Sequence, residues 1–216
     1  MARLALAGAP ASKARGGLVL VHGRGASAAD ILGLGQALGL PELALAAPEA
    51  PGNSWWPTSF LAPTAQMEDH VQAGIAAIDA AIAALTEDGL PREKIALGGF
   101  SQGACLALEY AARKGGVSAV FGLSGALVGT GDAGGEALNE LYGYADKTFD
   151  YSTDLSGVPV VFEVHERDPH IPLARVRRSV EVFDALGADT SLSVMPGPGH
   201  GIGEAGITAM RAALNR

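Results

Sequence analysis

Short apolar runs rich in branched residues alternate along this chain with longer stretches of helical spacing, and that alternation restricts the fold more than any other feature. Gly17–His22 (GLVLVH), Lys94–Gly99 (KIALGG), Val117–Gly122 (VSAVFG) and Val158–Val164 (VPVVFEV) read as strands buried on both faces, with Leu192–Met195 a last short strand. Between them, Thr64–Leu85 repeats Val71, Ile75, Ile78, Ile82 and Leu85 at steps of three or four, which is one apolar helix face. Gln102–Arg113, Leu173–Leu186 and Glu204–Leu214 are further helices. Strand alternating with helix predicts an α/β fold, a mostly parallel central sheet flanked by helices on both faces. Ligands of such sheets bind beyond the carboxyl ends of the strands, so the loops just after strands are where chemistry is expected.

Composition narrows the setting. With 216 residues and 48% hydrophobic content, residues 1–216 form a single domain with a core large enough to need no stapling. Gly and Pro are scattered as turn punctuation, and neither a linker nor an internal repeat is visible. A formal charge of −8 argues against nucleic acid, and the dense basic stretch Arg175, Arg177, Arg178 reads as a solvated helix face. No apolar run approaches the ~20 residues that span a bilayer, and MARLALAGAP is too short and interrupted for a secretory segment. The single cysteine, Cys105, suits a reducing compartment, so a cytoplasmic protein without nucleic-acid or membrane partners is expected.

Four loops after strands hold reactive residues. Gly99-Phe100-Ser101-Gln102-Gly103 is a G-x-S-x-G string between a strand and a helix, the setting of a nucleophile elbow: a sharp turn exposes the serine oxygen, and the Gln102 N–H with the helix dipole faces a developing negative charge. Taken alone, the pentapeptide also fits a serine capping a helix. His22-Gly23-Arg24-Gly25 offers the Arg24 backbone N–H as a second oxyanion donor; the Arg24 side chain either attracts an anionic group on the substrate or faces solvent. His22 reads as a structural brace. His165 to Pro172 (HERDPHIP) holds Asp168 in a turn set by Pro169, and Pro196 to Gly201 (PGPGHG) supplies His200. The order Ser101, Asp168, His200 is that of α/β-hydrolase triads. His165, Asp168 and His170 also spell H-x-x-D-x-H, but this matches no standard zinc spacing and leaves Ser101 without a role, so no metal site is expected. Cys105, one helical turn after Ser101 among leucines, reads as a small packing residue.

HGRG, GFSQG, the D-x-x-I-P of Asp168 to Pro172 and the G-x-G-H of Gly197 to His200, with the Trp-containing SWWPTSFLAP between the first two, resemble the phospholipase/carboxylesterase family of α/β-hydrolases, which includes acyl-protein thioesterases and small bacterial carboxylesterases. The resemblance covers nearly the whole chain. It implies a single-domain α/β-hydrolase without a large lid and a serine esterase or thioesterase needing no metal or organic cofactor. It also places Ser101, Asp168 and His200 as triad and Arg24 and Gln102 as oxyanion donors. Trp55, Trp56 and His165 are expected at the substrate pocket, although of two adjacent tryptophans only one usually faces a cleft. The chain departs from the pattern at Arg24, where a hydrophobic residue is common, and at His165, where glycine is common. Both departures change the lining of the site and weigh more on long-chain thioesterase activity than on ester hydrolysis. Gly129 to Ser156 is longer than the usual connection; it carries Asp132, Glu136, Glu140, Asp146, Asp150 and Asp154, and it covers the site or serves an oligomer contact such as a homodimer.

The expected function is serine-dependent hydrolysis of short-acyl or small soluble carboxylic esters through an acyl-enzyme. An acyl-protein thioesterase or lysophospholipase is the alternative. A lactone hydrolase of the dienelactone kind would resemble its relatives in using cysteine, an acyl-transfer enzyme would need a water-excluding acceptor site, and a non-catalytic module would be expected to lack a triad member.

Overall fold

A computed structural model describes residues 3–132 and 147–215. Among them are seven strands, β1 (Arg3–Gly8), β2 (Gly16–Val21), β3 (Leu43–Glu49), β4 (Ile95–Phe100), β5 (Val120–Leu123), β6 (Pro159–Arg167) and β7 (Asp189–Pro198). Five α-helices join them: α1 (Ala28–Ala37), α2 (Thr64–Glu87), α3 (Gln102–Lys114), α4 (Leu173–Ala185) and α5 (Glu204–Leu214). The strands form one sheet in the order β1-β3-β2-β4-β5-β6-β7, antiparallel only between β1 and β3. This is the α/β-hydrolase fold in a single domain.

Alternation along β2 shows how the two layers of core are built. Leu18 and Leu20 point to one face, against Ile31 and Leu32 of α1 and Met210 of α5. Val19 and Val21 point to the other, with Ile75, Ile78 and Ile82 of α2 and Val176 and Phe183 of α4. All six residues of β2 are buried, which is why the run reads as uniformly apolar. The predicted face of α2 (Val71, Ile75, Ile78, Ile82, Leu85) is buried throughout.

Three elements escape the reading from sequence. β3 is LALAAPE, buried but alanine-rich, and alanine favours helix over strand. β1 (RLALAG) is an edge strand with no fully buried residue, and its leucines, Leu4 and Leu6, are exposed. Helix α1 contains Gly33 and Gly35, which lower its propensity; it starts nonetheless through a capping box in which Ser27 and Asp30 bond each other's backbone N–H. A carbon on Gly35 would meet Leu20 and Leu45 at 2.8 and 2.9 Å, so the glycine is there for close packing. Of the Gly129–Ser156 connection, residues 133–146 lie outside the described residues. Its near end pairs with the start of α2: Thr64 N and Oγ1 donate to Thr130 O, and Asp132 accepts from Ala65 N at 2.7 Å. Among the described residues no helix is long and apolar enough to cross a membrane.

Candidate active site

Ser101 stands between the last residue of β4 and the first of α3, with φ +54° and ψ −121°. An L-residue at positive φ is disfavoured, and here the surroundings hold it. Ser101 N donates to Leu123 O at 2.9 Å, and Cys105 N donates to Ser101 O at 3.0 Å. The two glycines of the pentapeptide are required by space: a carbon on Gly103 would lie 2.1 Å from Val21 O, and one on Gly99 would lie 2.4 Å from the Gly103 backbone. Strand β2, strand β4 and helix α3 can approach this closely only without side chains at those positions.

The loops after β6 and β7 bring two side chains to Ser101. His200 Nε2 is 2.8 Å from Ser101 Oγ, and His200 Nδ1 is 2.8 Å from Asp168 Oδ2. The other Asp168 oxygen accepts from His170 N at 2.8 Å and Ile171 N at 3.0 Å, in the turn made by Pro169. The Asp168 side chain has no solvent exposure. Burial pushes its carboxyl up, but the hydrogen bonds from His200 and the two backbone N–H groups outweigh burial and hold it below the usual carboxylate range. A carboxylate on Nδ1 favours the tautomer whose Nε2 accepts a proton from serine. Among the described residues no group of three or more His, Cys, Asp or Glu is placed to hold a metal ion.

At the start of α3 the Gln102 N–H, and in the turn after β2 the Arg24 N–H, meet no acceptor among the described residues. A carbon on Gly23 would lie 3.4 Å from Ser101 Cβ, so that turn abuts the nucleophile. Completely buried His22 braces it: Ala50 N donates to His22 Nε2 at 3.0 Å, which leaves Nδ1 as the N–H that donates to Gly23 O at 2.8 Å.

These residues open onto a cleft of about 580 Å³ walled by Trp56, Phe60, Phe100 and Ile171, with Arg24 and His170 also lining it. Two expectations about the pocket need correction. Trp55 does not line the cleft: its ring packs on His22 at 5.2 Å and its Nε1 donates to His22 O, because the loop backbone turns it inward while Trp56 faces the cleft. Nor does His165: it lies on β6 beneath the His200 loop, so close that a carbon on Gly199 would be 2.5 Å from its Cε1. His170 takes the cleft position, edge-on to the His200 ring at 4.8 Å. Buried Cys105 forms part of the cleft floor, and burial pushes its thiol up to about 12, leaving it a protonated packing group.

Two supporting side chains are invisible to motif reading. The Gln102 side chain stitches the tryptophan loop to α3, accepting from Trp55 N and donating to Trp56 O, each at 2.9 Å. Buried Glu163 in β6 accepts from Gly203 N at 2.7 Å and Gly206 N at 2.6 Å, tying the start of α5, and the His200 loop before it, to the strand that leads to Asp168. A lone acid within the apolar run VPVVFEV was the available signal for Glu163; nothing in the sequence announces the Gln102 contacts.

The model of the phospholipase/carboxylesterase family matches residues 5–216. A phospholipase/carboxylesterase from Dyadobacter fermentans shares 32% identity over 100% of this chain and 97% of its own, with a TM-score of 0.86. Esterase PE8 shares 25% identity over 99% and 98%, with a TM-score of 0.76. Arabidopsis thaliana SOBER1, at 17% identity over 94% and 98% and a TM-score of 0.67, shares the fold. A search of curated proteins finds no match. By the family match and the likeness to the Dyadobacter protein, the chain belongs to the phospholipase/carboxylesterase family of α/β-hydrolases.

Proposed function

We propose that this protein is a serine-dependent carboxylic ester hydrolase that works through an acyl-enzyme and favours short-acyl or small soluble esters. The observation that carries the reading is the unbroken chain Asp168–His200–Ser101, with both contacts to His200 at 2.8 Å, ending at a nucleophile on the N-terminus of α3. Ser101 Oγ attacks the ester carbonyl carbon while His200 Nε2 takes its proton. The oxyanion that forms lies toward the Arg24 and Gln102 N–H groups, donors worth about 3–4 kcal/mol each in related chemistry. The tetrahedral adduct collapses, His200 gives its proton to the departing alcohol, and water repeats the cycle to free the acid. Asp168 stays ionised throughout and stabilises the imidazolium.

The preference for short acyl groups rests on Arg24. A long hydrocarbon chain laid against a guanidinium would deprive it of water and give nothing in return. The test is kcat/KM on p-nitrophenyl esters from acetate to palmitate, run beside acyl thioesters of the same lengths and with Ser101→Ala as control. Efficiency should peak at butyrate or shorter with no jump when an interface appears, and Ser101→Ala should lose about 10⁴- to 10⁶-fold in turnover. A maximum at dodecanoate or longer would contradict the short-acyl reading, and undiminished turnover by Ser101→Ala would overturn the mechanism.

A further inference from the structure

The cleft walls carry charge of one sign. Arg24 lines them with a full positive charge and His170 and His200 with imidazoles, while among the described residues no Asp or Glu lines the cleft. The chain carries 23 acidic residues against 15 basic ones, so acids are abundant, yet none of the described ones lines the cleft. Asp168 stands nearby, but its side chain has no exposure and its oxygens face His200 and two backbone N–H groups.

Arg24 is held in place. Nη1 donates to Pro57 O at 2.9 Å and Nη2 to Thr58 O, so the guanidinium spans from the turn beside Ser101 to the loop that carries Ser59 and Phe60 into the cleft. Carbonyl partners orient the group without cancelling its charge, and among the described residues Arg24 forms no ion pair. A guanidinium has five N–H donors, so two such contacts leave others for a ligand. Placed against hydrocarbon, those donors would be stranded; placed against an anion, they form charge-assisted bonds at a site already oriented. Exposed His170, edge-on to His200, adds another potential donor to the cleft lining.

Resting on the ester-hydrolase reading above, we propose that the substrate carries a negatively charged group, a carboxylate in the simplest case, and that the Arg24 guanidinium binds that group and selects for it. Neutral esters are then accepted as poorer substrates, and an anionic acid or alcohol portion raises kcat/KM.

Two matched pairs of esters test this. In the first the charge is on the alcohol side, 4-(butyryloxy)benzoate against its methyl ester; in the second it is on the acyl side, the mono-4-nitrophenyl ester of adipic acid against 4-nitrophenyl hexanoate. Each kcat/KM is divided by the hydroxide-catalysed rate of the same ester to remove intrinsic reactivity. The unaltered protein should favour the anionic member of at least one pair by about 5- to 30-fold, the range of a partly exposed charge-assisted contact. That preference should shrink as salt is raised. Arg24→Gln should abolish it, and Arg24→Lys, which keeps the charge but not the two-pronged clamp on Pro57 and Thr58, should retain most of it. If Arg24 serves only to pin the loop, both members slow together in both variants and the ratio does not move, which overturns the proposal. Equal efficiency on both members of both pairs by the unaltered protein overturns it as well. Failure of the underlying reading shows separately, as the absence of Ser101-dependent turnover of any of the four esters, and that result overturns both.

Discussion

Ser101 holds a backbone conformation that costs a non-glycine residue roughly 1–3 kcal/mol, and it is held there by a bond to Leu123 O and by glycines where any larger residue would strike backbone. The strain places Oγ at the mouth of the cleft, where His200 can reach it. Protonation then decides when the arrangement works. The Asp168 carboxyl lies below the ordinary range in the folded protein, so whatever stability it contributes is present above its unfolded value and is lost as pH falls through the lower, folded one. Asp168 therefore remains ionised down to that lowered value. The acid limb of a kcat/KM–pH profile should follow one proton, with a slope of one, because only the neutral imidazole can accept from Ser101. A limiting slope of two on that limb would show that Asp168 titrates with it. Asp168→Asn should reduce kcat by about 10⁴-fold by turning the imidazole to the wrong tautomer.

Among the elements, α3 does more than present Ser101. Its buried Glu109 accepts from Val128 N, Lys147 Nζ and Tyr151 OH at 2.8 Å through one oxygen, and from Arg113 Nε at 2.8 Å and Tyr151 OH at 3.0 Å through the other. Burial pushes this carboxyl up, yet Lys147 and Arg113 outweigh burial and hold it below its ordinary value. The knot joins α3 to Val128, after β5, and to Lys147 and Tyr151. Removing one partner leaves charges buried alone, so Glu109→Gln should cost roughly 3–5 kcal/mol in urea unfolding. The stability that Glu109 supplies should be lost as pH falls through its depressed value, and not at neutral pH. A loss under about 1 kcal/mol, the range of an exposed ion pair, would show that the knot is solvated.

Across the fold, strands buried on both faces and helices with one apolar stripe leave strong periodic signals, and β2, β4, β6 and α2 to α5 are legible in the sequence for that reason. Elements built from alanine and glycine, β1, β3 and α1, gave weak local signals because their identity is set by neighbours in the sheet. Within the site, the three residues that the structure brings together, Ser101, Asp168 and His200, stand out in the sequence because each lies in a loop that follows a strand. Which aromatic or histidine faces the cleft depends on loop direction, which the sequence does not carry: Trp55 and His165 turn away from it, while Trp56 and His170 line it. Side chains whose bonds go to a distant loop, as those of Gln102 go to Ser54, Trp55 and Trp56, leave no pattern at all. That Ser101 is the nucleophile activated by His200 and Asp168 can be checked by intact-protein mass spectrometry after treatment with a serine-reactive phosphonate, followed by peptide mapping. One adduct per chain should appear, on the peptide containing Ser101, with complete loss of ester turnover; Ser101→Ala should remain unlabelled while unfolding as the unaltered protein does. Labelling at another residue, or full activity in the protein labelled at Ser101, would contradict it.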